Sequence, residues 1–344
     1  MDTHGFALLG FGNVGQAFAR LLLAKRDELL TEHNIRWQII GIMTGHHGTA
    51  VNPNGIDLES ALAIIAAGDS LDPLSTEPIP QNGVEFVQTC NADVLFENTP
   101  VSYDDGQPTI EHISTALSAG MHAITANKGP VVHAYRELTK LANVHGRKFL
   151  FESAVMDGAP VFSLWREALP AAELQSFRGV LNSTTNLILT LMEQGETFEE
   201  AVAYTQSIGI AETDPTGDIE GWDAAIKVSA LVTVLMGISL KPSDVERKGI
   251  ESIQSDDIES AYAEGKRWKL ICRAEKTKTG ITASVRPELL DPSDSLYSVM
   301  GTSSAVTFHS DVLGPLTITE SDPGPHTTAY GLLADFIHAL RHTT

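Results

Sequence analysis

The sequence predicts an α/β protein, with an N-terminal doubly wound, Rossmann-type parallel sheet followed by a second, α+β domain. Three observations carry this. Strand and helix patterns alternate over the first 150 residues, as they do when parallel strands are joined by helical crossovers. The run Gly10-Phe11-Gly12-Asn13-Val14-Gly15 stands between the first strand and the first helix. Further on, strand patterns recur at Trp268–Ala274, Ile281–Val285 and Ala305–Phe308, as in a partly antiparallel second sheet.

The elements follow in order. Phe6–Leu9 is a short apolar strand, and Val14–Leu30 reads as one amphipathic helix with Arg20, Lys25 and Arg26 on its polar side. Trp37–Met43 is the second strand. Residues 44–82, rich in Gly, Pro and Asn, read as an insertion holding one helix near Leu58–Ala67. Asp93–Phe96, His122–Thr125 and Lys148–Phe151 are strands, separated by helices at Thr109–Ala119 and Val132–Val144. Beyond them, Val161–Ala168 and Asn186–Met192 are helical and Gln175–Leu181 is a strand. Thr197 with Glu200 three positions later is a capping box. Thr327–Leu340 is a final amphipathic helix; His338 and His342 near its end, spaced i,i+4, read as a solvated helix end. The expected domains are 1–150 for a dinucleotide and 151–324 for the chemistry, with a helix of about 325–344 returning to the first. The chain stops soon after that helix, so no regulatory domain is expected.

Each glycine of the loop has a task. Gly10 makes the tight turn, Gly12 lets the backbone approach a pyrophosphate, and Gly15 lets the helix pack on the strand. The backbone from Gly12 through Asn13, Val14 and Gly15 then offers N–H groups and the positive end of the helix dipole to phosphate oxygens. The second strand ends Ile42-Met43-Thr44-Gly45-His46-His47, without the acid that binds a ribose 2′-hydroxyl and without an Arg that would bind a 2′-phosphate. That pattern favours NADP slightly and leaves NAD open.

Ligands of such sheets bind beyond the carboxyl ends of the strands. Two polar clusters fall there, Glu97-Asn98-Thr99-Pro100 and Thr125-Ala126-Asn127-Lys128; the lysine is either an ordinary loop residue or a charge beside a reacting group. A third cluster, Asn182-Ser183-Thr184-Thr185-Asn186, offers a helix cap or substrate hydrogen bonds. The stretch Gly209–Lys227 gathers Glu212, Asp214, Asp218, Glu220 and Asp223, then enters an almost wholly apolar helix interrupted only by Lys227. Positions i and i+4 share a helix face, so Asp223 and Lys227 are neighbours among aliphatic side chains. That pair is either a structural salt bridge or catalytic machinery.

Composition narrows the partners. With 44 acids against 23 bases the net charge is −21, which argues against nucleic-acid or anionic-membrane surfaces. Two cysteines, Cys90 and Cys272, form neither a disulfide framework nor a zinc spacing, and the N-terminus has no leader pattern; a cytoplasmic protein is expected.

The ordered motifs resemble homoserine dehydrogenases. They are GFGNVG at Gly10's loop, TANK at Thr125–Lys128, FESAVMDGAPV at Phe151–Val161, LNSTTNLIL at Leu181–Leu189, AETDPTGDIEGWDAAIK at Ala211–Lys227 and ESDPGPHTTAYGLLAD at Glu320–Asp335. The resemblance implies NAD(P)-linked, reversible reduction of L-aspartate 4-semialdehyde to L-homoserine, on the route to threonine, methionine and isoleucine. It implies that Lys227 exchanges the proton, that Glu212 and Asp223 hold the substrate, and that Lys128 lies between cofactor and substrate. It puts Thr99 at the nicotinamide side, Gly324 at the cofactor, and a structural sodium ion at Glu152, Val155, Asp157 and Ala159. It also implies a homodimer built through the second domain. Tyr103, Asp104 and Asp105 are extra polar residues with no assigned role. The alternatives are another nicotinamide-dependent amino-acid oxidoreductase on the same scaffold and a non-enzymatic dinucleotide sensor. The first need not keep Glu212, Asp223 and Lys227 together, and the second leaves the acid cluster without a use.

Overall fold

In the computed structural model, residues 3–341 are described, so His342 and the last residues of the expected helix lie outside the described residues. The chain forms two compact units, one running to Pro160 and taking back the segment from Gly324, the other Val161–Pro323.

The first unit opens with β1 (Thr3–Leu9), α1 (Asn13–Ala24) and α2 (Arg26–Thr31). The single helix expected over 14–30 is therefore two, broken at Lys25, whose ψ of 9° leaves the helical region. β2 (Arg36–Met43) and β3 (Thr49–Ile56) come next, then α3 (Leu58–Ala67), α4 (Gly83–Cys90), β4 (Val94–Glu97) and α5 (Thr109–Ser118). β5 (His122–Thr125), α6 (Lys128–His133), α7 (Tyr135–Val144) and β6 (Phe149–Leu150) complete the N-terminal part. The sheet order is β3-β2-β1-β4-β5-β6. All neighbours are parallel except β3, which pairs antiparallel with β2. The strand order reverses between β1 and β4, and a doubly wound sheet opens its ligand crevice at that reversal.

β3 is the element the composition hides. Its sequence TAVNPNGI reads as loop, yet Ala50 and Val51 are fully buried. Pro and Gly are tolerated because the strand lies at the sheet edge. β1 shows why helices cover both faces: Phe6 and Leu8 join a core with α1 and the C-terminal helix, while Ala7 and Leu9 join another with α4 and α5. The C-terminal helix, Pro325–Arg341, returns to this unit through Phe336, whose ring lies 4.7 Å from that of Phe6. The unit reaches past residue 150 because the turn at Glu152–Ala154 is tied to that helix: the Glu152 N–H donates to Asp335 at 2.7 Å and the Ser153 hydroxyl to the Thr328 carbonyl at 2.7 Å.

The second unit begins with α8 (Val161–Ser163), which continues as a π-helical turn over Leu164–Ala168, then β7 (Leu174–Val180) and α9 (Ser183–Glu193). α10 (Phe198–Ser207), α11 (Thr216–Ile219) and α12 (Trp222–Leu231) lead to β8 (Glu246–Arg247) and α13 (Ser255–Ala263). β9 (Arg267–Thr277), β10 (Gly280–Leu290), β11 (Ser304–Ser310) and β12 (Leu316–Glu320) finish it. Its sheet, β12-β11-β7-β9-β10-β8, is antiparallel but for the short β8–β10 pairing. Both cysteines are buried free thiols whose pKa burial pushes up to about 12. Among the described residues no helix is long and apolar enough to cross a membrane.

The capping box at α10 is formed. The Glu200 N–H donates to Thr197 Oγ1 at 3.2 Å, and the Thr197 N–H donates to Glu200 Oε2 at 2.9 Å. Thr197→Ala is expected to cost about 1 kcal/mol, read from urea denaturation, and Thr197→Ser to restore most of it.

Candidate functional site

The acid-rich segment of the second unit folds around Asn182. This residue ends the connection from β7 and caps α9, its Oδ1 accepting the Thr185 N–H at 2.8 Å. Its amide nitrogen donates to Asp223 Oδ2 at 3.0 Å and to Asp218 Oδ1 at 2.6 Å. Asp223 stands in the first turn of α12, where the helix dipole favours a carboxylate. One turn on, Lys227 Nζ lies 2.9 Å from Asp223 Oδ2 and donates to the Leu181 carbonyl at 2.7 Å. The pair is largely shielded, with 12% of the Asp223 and 14% of the Lys227 side chain exposed. The i,i+4 spacing thus gives an ion pair gripped from behind by an amide and a carbonyl. The ammonium keeps donor capacity for one more oxygen.

Asp218 sits in the same network. Burial pushes its carboxyl above the usual range, and the negative Asp223 beside it pushes the same way, against the Asn182 amide and the Lys227 charge. Sequence reasoning gave Asp218 no role beyond being one acid of the stretch; its signal was the short helix α11 bringing it onto Asn182, which spacing alone does not reveal. Glu220 is used structurally, accepting from the Trp222 indole at 3.1 Å and lying 3.7 Å from Arg247, whose guanidinium covers the Trp222 ring. Glu212 is exposed, and among the described residues its carboxylate accepts no hydrogen bond. The remaining small polar residues of α9 divide. Asn186 accepts from the buried Lys269 at 2.9 Å and donates to the Gly301 and Ser303 carbonyls, so it serves the core. Burial pushes the Lys269 pKa down to about 8.

In the first unit the loop after β1 is shaped as the glycines require. Gly10 has φ +94°, and a Cβ there would lie 2.4 Å from the Asn98 carbonyl oxygen. A Cβ on Gly15 would lie 2.5 Å from the Gly10 carbonyl oxygen, whereas one on Gly12 would meet nothing within 4 Å. The backbone is therefore packed tightly at Gly10 and Gly15 and open at Gly12, where Asn13 and Val14 begin α1. That cradle fits a pyrophosphate. Beside it both polar atoms of the Asn98 side chain are buried and meet no protein partner among the described residues, as befits a group awaiting a polar ligand.

The loops after β4 and β5 are locked together by Glu97, which is fully buried. Its Oε1 accepts the Thr99 N–H at 3.1 Å and also bonds the Thr99 hydroxyl, while its Oε2 accepts from the Thr125 hydroxyl at 3.0 Å. Asn127 bridges the two loops, donating to the Thr99 and Pro100 carbonyls at 3.1 and 3.2 Å, and caps α6 through the Gly129 N–H. Lys128 is the first residue of α6, half-buried at the strand end. Thr99 and Lys128 are thereby fixed on one rigid strand-end platform.

The residues Glu152, Val155, Asp157 and Ala159 lie in one tight connection. Asp157 has φ +41°, and its carboxylate accepts the Thr327 hydroxyl at 3.0 Å. Among the described residues no cluster of three or more His, Cys, Asp or Glu has the disposition of a metal site. Gly324 acts as the cap of the C-terminal helix: its carbonyl accepts the Thr327 and Thr328 N–H groups, both at 3.0 Å, and its N–H donates to Thr327 Oγ1 at 2.9 Å.

Comparison with known proteins agrees across three kinds of evidence. A family model described as homoserine dehydrogenase matches residues 160–337, and one described as homoserine dehydrogenase, NAD binding domain, matches residues 10–152. The NAD(+)-dependent homoserine dehydrogenase of Pseudomonas canavaninivorans is 36% identical, over 100% of this chain and 98% of the relative. The homoserine dehydrogenase of Methanocaldococcus jannaschii is 34% identical over 98% of each. Among solved structures, a hyperthermophilic archaeal homoserine dehydrogenase mutant in complex with NADPH superposes with a TM-score of 0.83 at 27% identity, covering 99% of this chain and 98% of that one. The Thiobacillus denitrificans homoserine dehydrogenase gives 0.82 at 28%, covering 99% of this chain and 74% of that one.

A carboxyl whose pKa is raised on folding stabilises most below its unfolded value, and that contribution is lost as pH rises through the folded one. Asp218→Asn keeps an acceptor for Asn182 without the charge. It is therefore expected to raise the thermal midpoint at pH 7, with the gap to the parent closing toward pH 4, read by calorimetry at both pH values.

Proposed function

The chain belongs to the homoserine dehydrogenase family, and we propose that it interconverts L-aspartate 4-semialdehyde and L-homoserine as an NAD(P)-dependent oxidoreductase. The observation that carries this reading is the shielded Lys227–Asp223 pair with Asn182 and the Leu181 carbonyl behind it. When bound, a nicotinamide dinucleotide supplies or accepts hydride. The open backbone at Gly12, the start of α1 at Asn13 and Val14, and the buried amide of Asn98 are the groups that would hold it.

The reacting carbonyl gains negative charge on oxygen as it is reduced, so the site needs a cation and a proton there. Lys227 supplies both. Two of its donor directions are taken by Asp223 and Leu181, which aims the third. Asp223 holds the ammonium in place through the 2.9 Å ion pair and is placed to bond the substrate hydroxyl as well. Glu212, exposed and without an internal acceptor role, holds the substrate ammonium by a charge-assisted hydrogen bond. Thr99 contacts the nicotinamide side, and Lys128, on the platform set by Glu97 and Asn127, supplies positive charge between cofactor and substrate. Gly324 caps its helix through both N–H and carbonyl, so any cofactor contact there is made by its Cα. The connection holding Glu152, Val155, Asp157 and Ala159 offers oxygen donors only, which suits a structural sodium ion. A homodimer joined through the second domain and residence in the cytoplasm belong to the same proposal.

Homoserine oxidation followed at 340 nm with NAD and with NADP is the direct test. Lys227→Ala should lower kcat by about 100- to 10,000-fold with little change in KM. Glu212→Gln should act mainly on the homoserine KM. An unchanged kcat in the lysine variant contradicts the assignment.

A further inference from the structure

We propose that Asp72, delivered by the 44–82 insertion, takes the place of the acid missing from the end of β2 and tilts cofactor choice toward NAD. This rests on the nicotinamide-linked reading above and concerns only the ribose end of the dinucleotide.

β3 runs back antiparallel from the end of β2, with Thr49 opposite Met43. α3 then reverses direction again, so the segment Asp69–Asp72 arrives beside the open end of β2. There the Leu71 N–H donates to the His47 carbonyl at 2.8 Å. The Thr49 N–H donates to Asp72 Oδ1 at 2.7 Å, and a Cβ on Gly48 would lie 2.2 Å from that same oxygen. The turn 44–48 is thus clamped by the Asp72 carboxylate. The phosphate loop is tied to the same strand end, since the Gly10 N–H donates to the Met43 carbonyl at 3.0 Å. A dinucleotide seated on Gly12 places its adenosine ribose beside the end of the second strand.

Asp72 is exposed, and Oδ1 is the oxygen that Thr49 occupies. Oδ2 remains able to accept from a ribose hydroxyl. The surrounding charge points the same way: residues 44–82 contain Asp57, Glu59, Asp69, Asp72 and Glu77 and no Lys or Arg. A 2′-hydroxyl would find an acceptor there. A 2′-phosphate, close to a dianion at neutral pH, would meet a carboxylate with no Lys or Arg of the insertion to offset it, His46 and His47 being the basic side chains there. The preference for NADP read from the strand end alone is reversed, because the acid arrives from a segment about 28 residues further along the chain.

Asp72→Asn keeps an acceptor for the Thr49 N–H and removes the charge. Asp57→Asn, at the other end of α3, removes the same charge and keeps the cap that now receives the Ser60 N–H at 2.8 Å. The measurements are kcat/KM for homoserine oxidation with NAD and NADP, and dissociation constants for NADH and NADPH by fluorescence titration, on the full chain and both variants. The parent should prefer NAD. Asp72→Asn should move the NADP/NAD ratio about tenfold toward NADP, and Asp57→Asn should leave it within twofold. A parent that prefers NADP, an unmoved ratio in Asp72→Asn, or an equal shift in both variants overturns the proposal. If both dinucleotides bind and neither supports turnover, the binding ratios still decide the role of Asp72, and it is the oxidoreductase reading that fails. Binding of neither overturns both.

Discussion

The ion pair between Asp223 and Lys227 is the interaction around which the acid-rich segment of the second unit is built. On an exposed helix, an i,i+4 pair contributes only about 0.3–0.5 kcal/mol. Here the pair is shielded, so each charge relies on the other, and removing one partner from such a setting typically costs about 3–5 kcal/mol. The structure meets that demand with neutral dipoles. The Asn182 amide faces the carboxylate, the Leu181 carbonyl faces the ammonium, and both come from the connection between β7 and α9. The position of Lys227 is therefore set by two segments far apart in sequence as well as by its own helix.

The first unit uses the same device at another place. Glu97 is a fully buried carboxylate at the end of β4, and it is satisfied by the backbone and hydroxyl of Thr99 and the hydroxyl of Thr125. Asn127 completes the cross-link. In each unit an asparagine both caps a helix and donates to groups of a neighbouring segment, so cap and site form together. Buried networks of this kind are rigid when every member is satisfied and costly when one is lost. Such rigidity suits residues that must hold a small substrate or a flat ring in one orientation.

Much of this was legible in the sequence. The glycine loop was readable because strand, loop and helix come in immediate succession. The Asp223–Lys227 pair was readable because helical periodicity turns a spacing of four into contact. Helix α3 appeared with its observed ends, since its apolar run is bounded by Asp57, which caps it, and Gly68. What stayed hidden depends on long-range folding. β3 looks like loop because an edge strand tolerates Pro and Gly. Asp218 looks like one acid among several, and only the packing of α11 onto Asn182 makes it part of the network. Asp72 lies in a segment with no motif, and its place beside β2 follows from two reversals of chain direction.

Whether Lys227 and Asp223 act as one unit is decided by a double-mutant cycle on kcat. The proteins compared are the parent, Lys227→Met, Asp223→Asn and the double variant, each checked for folding by circular dichroism. Residues that work as a unit are strongly non-additive. The double variant should be no slower than Lys227→Met alone. Losses that multiply across the two sites would contradict it, because they would mean that the carboxylate and the ammonium contribute independently.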